Sequence, residues 1–310
     1  MNCEFPFDLS VVIVSYNVRD LLRACLKSIR NPDIEILVVD NASDDGSAEM
    51  VRDAFPKVQL IANETNAGFA AANNQGIRAS SGRHVLLLNP DTEVLDDALA
   101  RLVGFLDRHP DYAAAGAGLV YPDGSFQHSA FRFPGAMQCF FDFFPTSNRL
   151  MNSRLNGRYP RAWYERGQPF DIDHPLGACL VVRREAIDEV GLLDGGFFMY
   201  CEEIDWCWRM RKVGWKIACV PAARVVHHAG ASTRQFRDEM FVTLWRSRFR
   251  LFEKHLRPLR RRLIGWIVRL GVLRERLRAT GQASSGEMPM AELVSRLAAY
   301  EEVSRMAREY

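Results

Sequence analysis

The chain has 310 residues, of which 48% are hydrophobic and 25% are charged, and its formal net charge is +2. This length and composition predict one large α/β domain with an appendage, and they exclude a collagen-like or wholly disordered chain. The seven cysteines show no paired spacing, and the N-terminus has no basic start followed by a long apolar stretch. We therefore expect reduced thiols, no secretion signal and a cytoplasmic protein. No run of about 18 apolar residues occurs, so no membrane-spanning helix is expected.

The N-terminal part alternates short, continuously apolar runs with amphipathic runs. The first apolar run, 9–15, is β-branched and continuously apolar, which is typical of a strand covered on both faces, whereas the amphipathic runs have helical spacing. The predicted strands are 9–15, 34–40, 58–62 and 84–89, and the predicted helices are 21–29, 47–55, 67–80 and 96–109. This order predicts an α/β fold with a Rossmann-like, mostly parallel central sheet flanked by helices.

The second half is less regular. Residues 121–170 are rich in Phe, Tyr, Pro, Asn and Arg, and we expect them to form loops over the site. Order returns with a strand and helix in 177–191, a helix over 202–213 and two short strands in 215–221 and 223–227. Beyond residue 236 the pattern is helical, with Pro258 separating two helices. A linker is expected at 280–289 and a last amphipathic helix at 290–308.

These elements predict a domain organisation. A catalytic domain is expected over residues 1–235, with a nucleotide-binding half at about 8–120 and an acceptor half at about 121–235. A basic helical extension is expected at 236–279, followed by the linker and by a C-terminal helical segment at 290–310.

The small net charge hides an asymmetry, because residues 233–278 hold 14 Lys or Arg and 4 Asp or Glu. Such helices suit an anionic membrane surface at the inner face of the cell membrane, and they also suit packing on the catalytic body or on another subunit. Nucleic acid is not the expected partner, since no nucleic-acid-reading motif accompanies the charge. The last helix can support a homodimer. Within residues 241–270 the cations alternate with Trp245, Phe249, Phe252, Trp266 and Ile267.

Polar residues follow the first two predicted strands, at the edge where an open α/β sheet binds its ligands. The second strand ends in Asp40 and Asn41. An Asp here can accept the N3–H of uracil or thymine, and an Asn amide can bond base or ribose. The same segment also suits a plain turn with a helix cap at Ser47. The first strand ends in Ser15 and is followed by Tyr16 and Asn17.

A stretch of small residues begins at Asn66 and Gly68 and continues to Asn73 and Asn74. Its Gly and Ala residues allow close backbone approach, and amides at a helix start can face a diphosphate. The alternative is a helix that packs tightly against the sheet.

The sharpest local signal is Asn89-Pro90-Asp91, directly after a strand. Asp91 can bind Mg²⁺ or Mn²⁺ that bridges two phosphates, with water at other positions, and Asn89 can bond the ribose. A plain Pro-Asp turn is the alternative.

Three acids crowd the start of a predicted helix, and a basic residue follows one turn later. A carboxylate in partly apolar surroundings has a raised pKa and can act as a general base, supported by its neighbours. Arg209 is the expected ion-pair partner of Asp205. Acids that only complement the helix dipole are the alternative. The acids are Glu202, Glu203 and Asp205.

His227 and His228 end a short strand beside these acidic loops, where one of them can bind a metal or a phosphate. A purely structural pair is the alternative. Zinc is not expected, because no cysteine pair has the required spacing.

Six segments, taken in their order along the chain, resemble family 2 glycosyltransferases with the GT-A fold. Within this family they are most similar to the rhamnosyltransferase-like branch. The similarity runs from about residue 8 to residue 255. The segments are VVIVSYN, ILVVDNASDDGS, NAGFAAANNQG, LLLNPDTEV, GACLVVRREAIDEVGLLDGGFFMYCEEIDWCWRMRKVGWKI and PAARVVHHAGAS.

The resemblance implies an inverting transfer from a nucleotide-diphosphate sugar with a divalent metal. The acceptor would be a hydroxyl of a saccharide or of a polyprenyl-diphosphate-linked sugar in cell-envelope polysaccharide synthesis. The expected donor is dTDP-L-rhamnose, with a UDP-sugar as the alternative.

The resemblance also assigns residues. Asp40 falls where the family binds the pyrimidine, and Asp91 falls on the metal ligand of its Asp-x-Asp motif, whose first Asp is Asn89 here. Glu203 falls on the usual base, where the family has Asp, so its carboxyl reaches one methylene further. His227 matches a histidine near the metal and the diphosphate.

Two other classes of protein compete with this interpretation. A nucleotidyltransferase would carry a glycine-rich, basic phosphate loop after the first strand, where this chain has SYNVRDLL. A non-catalytic nucleotide-sugar-binding assembly protein would share the fold, but the presence of Asp91 and Glu203 argues against it.

Overall fold

In the computed structural model of the protein, residues 5–31, 33–229 and 237–310 are described. The strands of this part are β1 (Phe7–Ser15), β2 (Glu35–Asp40), β3 (Gln59–Ala62), β4 (Gly82–Leu88), β5 (Thr92–Val94), β6 (Tyr112–Val120), β7 (Phe126–Gln127), β8 (Ala130–Phe131), β9 (Phe170–Asp171), β10 (His174–Pro175), β11 (Cys179–Arg183) and β12 (Lys216–His227). The helices are α1 (Arg19–Ser28), α2 (Ser47–Ala54), α3 (Phe69–Ala79), α4 (Ala98–Arg108), α5 (Ala136–Phe143), α6 (Asn148–Met151), α7 (Arg161–Glu165), α8 (Arg184–Val190), α9 (Glu202–Lys212), α10 (Arg237–His255), α11 (Pro258–Ser284) and α12 (Met290–Arg308), with a 3₁₀ turn at Arg154–Asn156.

The central sheet has the order β3-β2-β1-β4-β11-β6-β12-β5, with β7 beside β6 and β9 beside β12. Six strands of this path run in the same direction, whereas β11 and β5 run against their neighbours. The prediction of a mostly parallel sheet is therefore confirmed. Because β1 pairs with β2 so that Ser15 lies opposite Asp40, the polar ends of these strands share one edge.

Both faces of the parallel strands are covered, which explains their unbroken apolar sequences. Val11 and Ile13 of β1 lie in the large core cluster together with residues of α1 and α4. On the other face Val14 packs with Ala72 of α3. A Cβ on Gly76 would lie 2.3 Å from Cγ1 of Val12, so α3 packs tightly against β1. The alternative given for this stretch of small residues, a helix packed tightly against the sheet, is therefore correct for the side of α3 that faces the sheet.

The described residues divide into two compact units. The first comprises Met1–Arg132, Tyr159–Phe198 and Glu202–Ser232, and it contains the sheet. The second comprises Phe133–Arg158, Met199–Cys201 and Thr233–Tyr310, and it contains α5 and the three long C-terminal helices. Among the described helices, none combines the length and the apolar composition needed to cross a membrane.

The core of the second unit is aromatic. Phe143 of α5 stacks on Trp245 of α10 at 5.1 Å between ring centroids. A Cβ on Gly271 would lie 2.2 Å from the Phe143 ring, so α11 approaches α5 closely at this glycine. Trp245, Phe249 and Phe252 are at most 3% exposed, whereas Trp266 is 60% exposed. Most of the aromatic rings predicted for a membrane or protein contact therefore form this core instead.

Several predicted boundaries differ from the structure. The two strands predicted at 215–221 and 223–227 are one strand, β12, with a register irregularity between Val220 and Arg224. The predicted loops at 121–170 contain α5, α6 and α7, and 133–158 group with the C-terminal helices rather than with the acceptor half. Helix α11 continues to Ser284, into the predicted linker.

The predicted helix cap at Ser47 is wrong. Helix α2 begins at Ser47 itself, after Gly46 at φ +80°, and the Ser47 amide donates to Oδ1 of Asp45 at 3.0 Å. Residues 230–232, the end of the predicted VVHHAGAS segment, lie outside the described residues.

Candidate active site

The loops that follow β1 and β2 are bonded to each other. The Asn17 amide donates to Oγ of Ser43 at 3.0 Å, and Oδ1 of Asn17 accepts from the Asp44 amide at 2.9 Å. Asn17 takes a left-handed conformation, with φ 53°, which places its side chain for this bond. Tyr16, beside it, is partly buried. Residues 15–17 and the loop after Asp40 thus form one joined surface.

Asp40 and Ser15 hold buried oxygen atoms at this edge. Asp40 is 3% exposed, and its Oδ2 accepts from the Ser43 amide at 3.0 Å. In the described part of the chain, Oδ1 of Asp40 and Oγ of Ser15 have no hydrogen-bond partner. An unpaired buried polar atom costs about 1–3 kcal/mol. Two unpaired buried oxygen atoms on neighbouring strands indicate a site where a ligand can supply the missing hydrogen bonds.

Asn41 is used differently from the prediction, which assigned its amide to base or ribose. Its Nδ2 donates to Oδ1 of Asn66 at 2.7 Å, and its Oδ1 accepts from Nδ2 of Asn63 at 3.1 Å and from the Ala67 amide at 3.0 Å. Oδ1 of Asn66 also accepts from the Gly68 amide at 3.0 Å. Asn41 and Asn66 therefore hold the loop that leads into α3.

Gly68 allows the start of α3 to touch the segment before α9. It has φ +83°, and a Cβ there would lie 2.6 Å from the carbonyl oxygen of Phe198. The Phe69 amide donates to that same oxygen at 2.6 Å. Asn74, predicted as part of the diphosphate-facing stretch, instead bonds both backbone groups of Leu193, at 2.8 and 3.1 Å. The glycine is needed because a side chain would fill the space that the Phe198 backbone occupies.

Asn89 lies between strands β4 and β11. Because β11 runs antiparallel to β4, with Cys179 opposite Leu88, the residues before β11 meet the end of β4. The Asn89 amide donates to the Ala178 carbonyl at 2.9 Å. Oδ1 of Asn89 is buried and has no hydrogen-bond partner among the residues described. The side chain thus keeps an acceptor for an additional group, as the ribose prediction requires.

Asp91 and His227 lie together in a buried position. Strand β12 pairs with β5 so that His227 lies opposite Thr92, and the His228 amide donates to the Asp91 carbonyl at 2.9 Å. Nε2 of His227 lies 3.5 Å from Oδ1 of Asp91. The pKa of His227 is lowered by burial, so its ring is neutral and suited to bind a cation. His228 instead pairs with Glu93 at 2.9 Å.

Gln127 orients the His227 ring. Its Oε1 lies 3.2 Å from Nδ1 of His227, and both residues are buried. Because a carbonyl oxygen only accepts, this contact favours the tautomer with the proton on Nδ1, which leaves Nε2 as the ring nitrogen available to a cation.

The donor atoms of Asp91 and His227 fit a divalent cation of the Mg²⁺ or Mn²⁺ class. Within the described ranges, no group of three or more His, Cys, Asp and Glu is arranged to hold a metal. The protein would thus supply two ligands, and phosphate oxygens and water would complete the coordination, as is common for Mg²⁺ with nucleotides.

Glu202 and Glu203 begin α9. Glu202 is 4% exposed, Glu203 is partly buried, and Oε2 of each has no hydrogen-bond partner in the part of the protein that is described. Burial raises the pKa of Glu203 to about 7, although the Gly177 amide is among the backbone donors that lower it. Burial, and then the charge of Glu203, also raise the pKa of Glu202. A carboxyl of this kind is poised to accept a proton near neutral pH.

The backbone before these acids is strained. Tyr200 and Cys201 have φ values of 70° and 68°, which non-glycine residues seldom adopt. Consecutive left-handed residues beside a helix start fix the direction from which the helix begins, and such strain concentrates at functional sites.

Asp205 has a supporting position. It is fully buried and its Oδ2 accepts from Nε of Arg209 at 2.9 Å, so the predicted ion pair is confirmed. Arg209 also donates to the carbonyls of Val190 and Leu192. The pair of Asp205 and Arg209 therefore links α9 to the end of α8 and to the segment that follows it.

The two sides of the site meet at Gly177 and Ala178. A Cβ on Gly177 would lie 3.3 Å from Cδ of Glu203, and the next residue bonds Asn89, two positions before Asp91. The sequence missed the backbone role of these residues, as it missed Gln127 and Phe198. Only the glycine in GACLVV gave a signal, because close approach to a side chain requires one.

The sequence model described as glycosyl transferase family 2 matches residues 10–191, more than half of the chain. The protein belongs to glycosyl transferase family 2. This family 2 glycosyltransferase is 30% identical over 247 residues to the N-acetylglucosaminyl-diphospho-decaprenol L-rhamnosyltransferase of Mycobacterium tuberculosis, covering 73% of the chain and 77% of that protein. It is 25% identical over 228 residues to the dTDP-rhamnosyl transferase RfbF of Shigella flexneri, covering 72% of the chain and 70% of that protein.

Solved structures show the same fold. The mannosyltransferase PcManGT of Pyrobaculum calidifontis, solved with GDP-Man and Mn²⁺, superposes with a TM-score of 0.58 at 18% identity. The match covers 97% of this chain and 84% of PcManGT. The predicted GT-A fold and the predicted enzyme class, a glycosyltransferase, are both confirmed.

Proposed function

We propose that this glycosyltransferase moves L-rhamnose from dTDP-rhamnose to a hydroxyl of a lipid-diphosphate-linked saccharide in cell-envelope polysaccharide synthesis. The observation that carries the proposal is the junction at Gly177 and Ala178. It brings Glu203, with its raised pKa, beside the loop of Asn89 and Asp91. The activities named for the mycobacterial and Shigella relatives support rhamnose as the sugar, and that of the mycobacterial relative supports a lipid-diphosphate acceptor.

On the acceptor side, Glu203 is the general base. Its carboxylate takes the proton of the acceptor hydroxyl while that oxygen attacks the anomeric carbon from the face opposite the diphosphate. Glu202, with its own raised pKa, stays protonated beside it and limits the negative charge at the start of α9. One displacement of this kind inverts the anomeric configuration.

On the donor side, the buried oxygen atoms hold the nucleotide. Oδ1 of Asp40 accepts the N3–H of the pyrimidine, and the Ser15 hydroxyl and Oδ1 of Asn89 complete bonds to base or ribose. Asp91 and His227 would hold Mg²⁺ or Mn²⁺, and such a cation would neutralise negative charge on the departing diphosphate. Gln127 keeps the His227 ring in the orientation that this requires.

A UDP-sugar is the second candidate donor, because Oδ1 of Asp40 accepts the same N3–H from uracil and from thymine. The test incubates the full chain with Mn²⁺, a lipid-diphosphate N-acetylglucosamine acceptor and either dTDP-rhamnose or a panel of UDP-sugars. Mass spectrometry of the acceptor should show the addition of one deoxyhexose from dTDP-rhamnose. Transfer from a UDP-sugar alone would replace the donor assignment, and nucleotide-sugar binding without any product would identify a non-catalytic binding protein.

A further inference from the structure

Helix α11 exposes an apolar stripe, although its other side is packed within the second unit. The exposed fractions run from 53% at Leu263 to 77% at Leu259. Together they expose several hundred Å² of apolar surface, which is as large as the largest apolar patch on a typical monomer. The stripe consists of Leu259, Leu263, Trp266, Leu270, Leu273 and Leu277.

The stripe is continuous along the helix. Its members alternate in steps of four and three residues, so at about 100° per residue they fall within an arc of about 80°. The opposite side carries Ile264, Val268 and Val272, which are at most 1% exposed. One side of α11 therefore holds the helix on its unit, and the stripe points away from it.

Arginines border the stripe on both sides. The helical rotation places Arg260, Arg274 and Arg278 along one edge and Arg262, Arg269 and Arg276 along the other. Residues 258–284 contain seven Arg and one Glu. The Arg269 guanidinium lies 4.7 Å from the centre of the Trp266 ring, which joins the cationic edge to the apolar surface.

The apolar surface extends onto α5. Phe140 is 37% exposed and stacks on Phe144, with ring centroids 4.9 Å apart. The guanidinium of Arg274, at the edge of the stripe, lies 5.7 Å from the Phe144 ring centre. Met137, one turn before Phe140, is 45% exposed. The result is a broad surface across two helices rather than a narrow seam for one partner helix.

We propose that the apolar stripe of α11 lies in the interface of an anionic lipid bilayer, with its bordering arginines at the level of the headgroups. Leucine and tryptophan side chains enter the boundary of such a membrane while arginines pair with lipid phosphates. A second copy of the chain is the less suitable occupant. Since both edges of the stripe are cationic, parallel and antiparallel pairing would each place arginine rows against each other.

The test is flotation of the full chain with vesicles, without donor or acceptor, so that it does not depend on the transferase activity. The wild type should float with vesicles that contain phosphatidylglycerol and should float far less with pure phosphatidylcholine. High salt should reduce flotation, because it screens the arginines. Failure of the wild type to float with anionic vesicles would overturn the proposal.

Variants separate the two parts of the surface. The double variant Trp266→Ser and Leu270→Ser should partition onto anionic vesicles at least about tenfold less than the wild type. Arg262→Gln and Arg269→Gln should each lower the partitioning onto anionic vesicles about fivefold. Val213→Ser is the matched control, because Val213 is 53% exposed but belongs to the first unit, and it should float as the wild type does.

Two further measurements complete the design. Circular dichroism should show an unchanged thermal transition for each variant, because the substituted side chains are exposed. Light scattering should show one association state for the wild type and the double variant. A wild-type dimer that the double variant converts to a monomer, with flotation unchanged, would assign the stripe to a second copy and refute the membrane proposal.

Discussion

Replacing Glu203 by Gln keeps the size of the side chain and removes its ability to accept a proton. If Glu203 is the base, the variant should bind donor normally and lose about 10²–10⁴-fold in kcat, the usual contribution of general base catalysis. The wild-type kcat/KM should rise with pH and reach half of its maximum near the pKa of about 7. A variant with wild-type turnover would exclude Glu203 from this role.

The same substitution changes stability in a pH-dependent way. The folded-state pKa of Glu203 is about 7 against a reference of 4.5, a difference worth about 3 kcal/mol. Because folding raises the pKa of Glu203, protonation of this carboxyl stabilises the folded state. The stabilisation is complete below the unfolded-state pKa and is lost as the pH rises through about 7. Relative to the wild type, Glu203→Gln should therefore gain up to about 3 kcal/mol between about pH 4 and pH 8.

Urea unfolding of both proteins across this pH range measures the effect. The amide of Gln adds a constant offset, so the decisive quantity is how the difference in unfolding free energy changes with pH. Glu185→Gln, an exposed carboxyl of α8, is the control and should show little change. A difference between Glu203→Gln and wild type that stays constant from acid to alkaline pH would refute the burial argument.

Three other substitutions test the rest of the site. Asp91→Ala should abolish the Mn²⁺-dependent part of dTDP binding in calorimetric titration; an unchanged titration would contradict its role as metal ligand. Gln127→Leu should weaken Mn²⁺ binding about tenfold, because His227 loses the acceptor that orients it, whereas Gln127→Glu should preserve much of the affinity; equal affinities would refute the positioning role. Gly68→Ala should lower the thermal unfolding temperature, with a cost of at least about 2 kcal/mol, since its Cβ would collide with the Phe198 carbonyl; a wild-type melting curve would show that the segment yields.

The parts of the fold that depend on local pattern were predictable. Buried apolar runs marked β1, β2 and β4, and the polar residues at their ends, Asp40 and Asn89, lie at one sheet edge as expected. Strand β11 was predicted as a strand, but its insertion between β4 and β6 was not, because pairing between distant strands leaves no periodicity in the sequence.

Long-range side-chain contacts were equally invisible. Gln127 reaches His227 across 100 residues of chain, and nothing around Gln127 marks it. Asn41 looked like a ligand-binding amide, and only the position of the loop at 63–67 reveals that its bonds are taken within the protein. The aromatic residues of α10 show the same ambiguity, since an amphipathic sequence does not say whether protein or lipid covers its rings.

The contact between the start of α3 and Phe198 bears on the engineering of new acceptor specificities. The carbonyl of Phe198, in the segment that leads to Glu203, accepts a hydrogen bond from the Phe69 amide at the start of α3. Exchanging residues 192–201 for those of a relative would therefore replace only one side of the contact between Phe198 and the start of α3. Chimaeras that carry the matching segment around Gly68 as well should retain turnover, and those that replace one side alone should lose it.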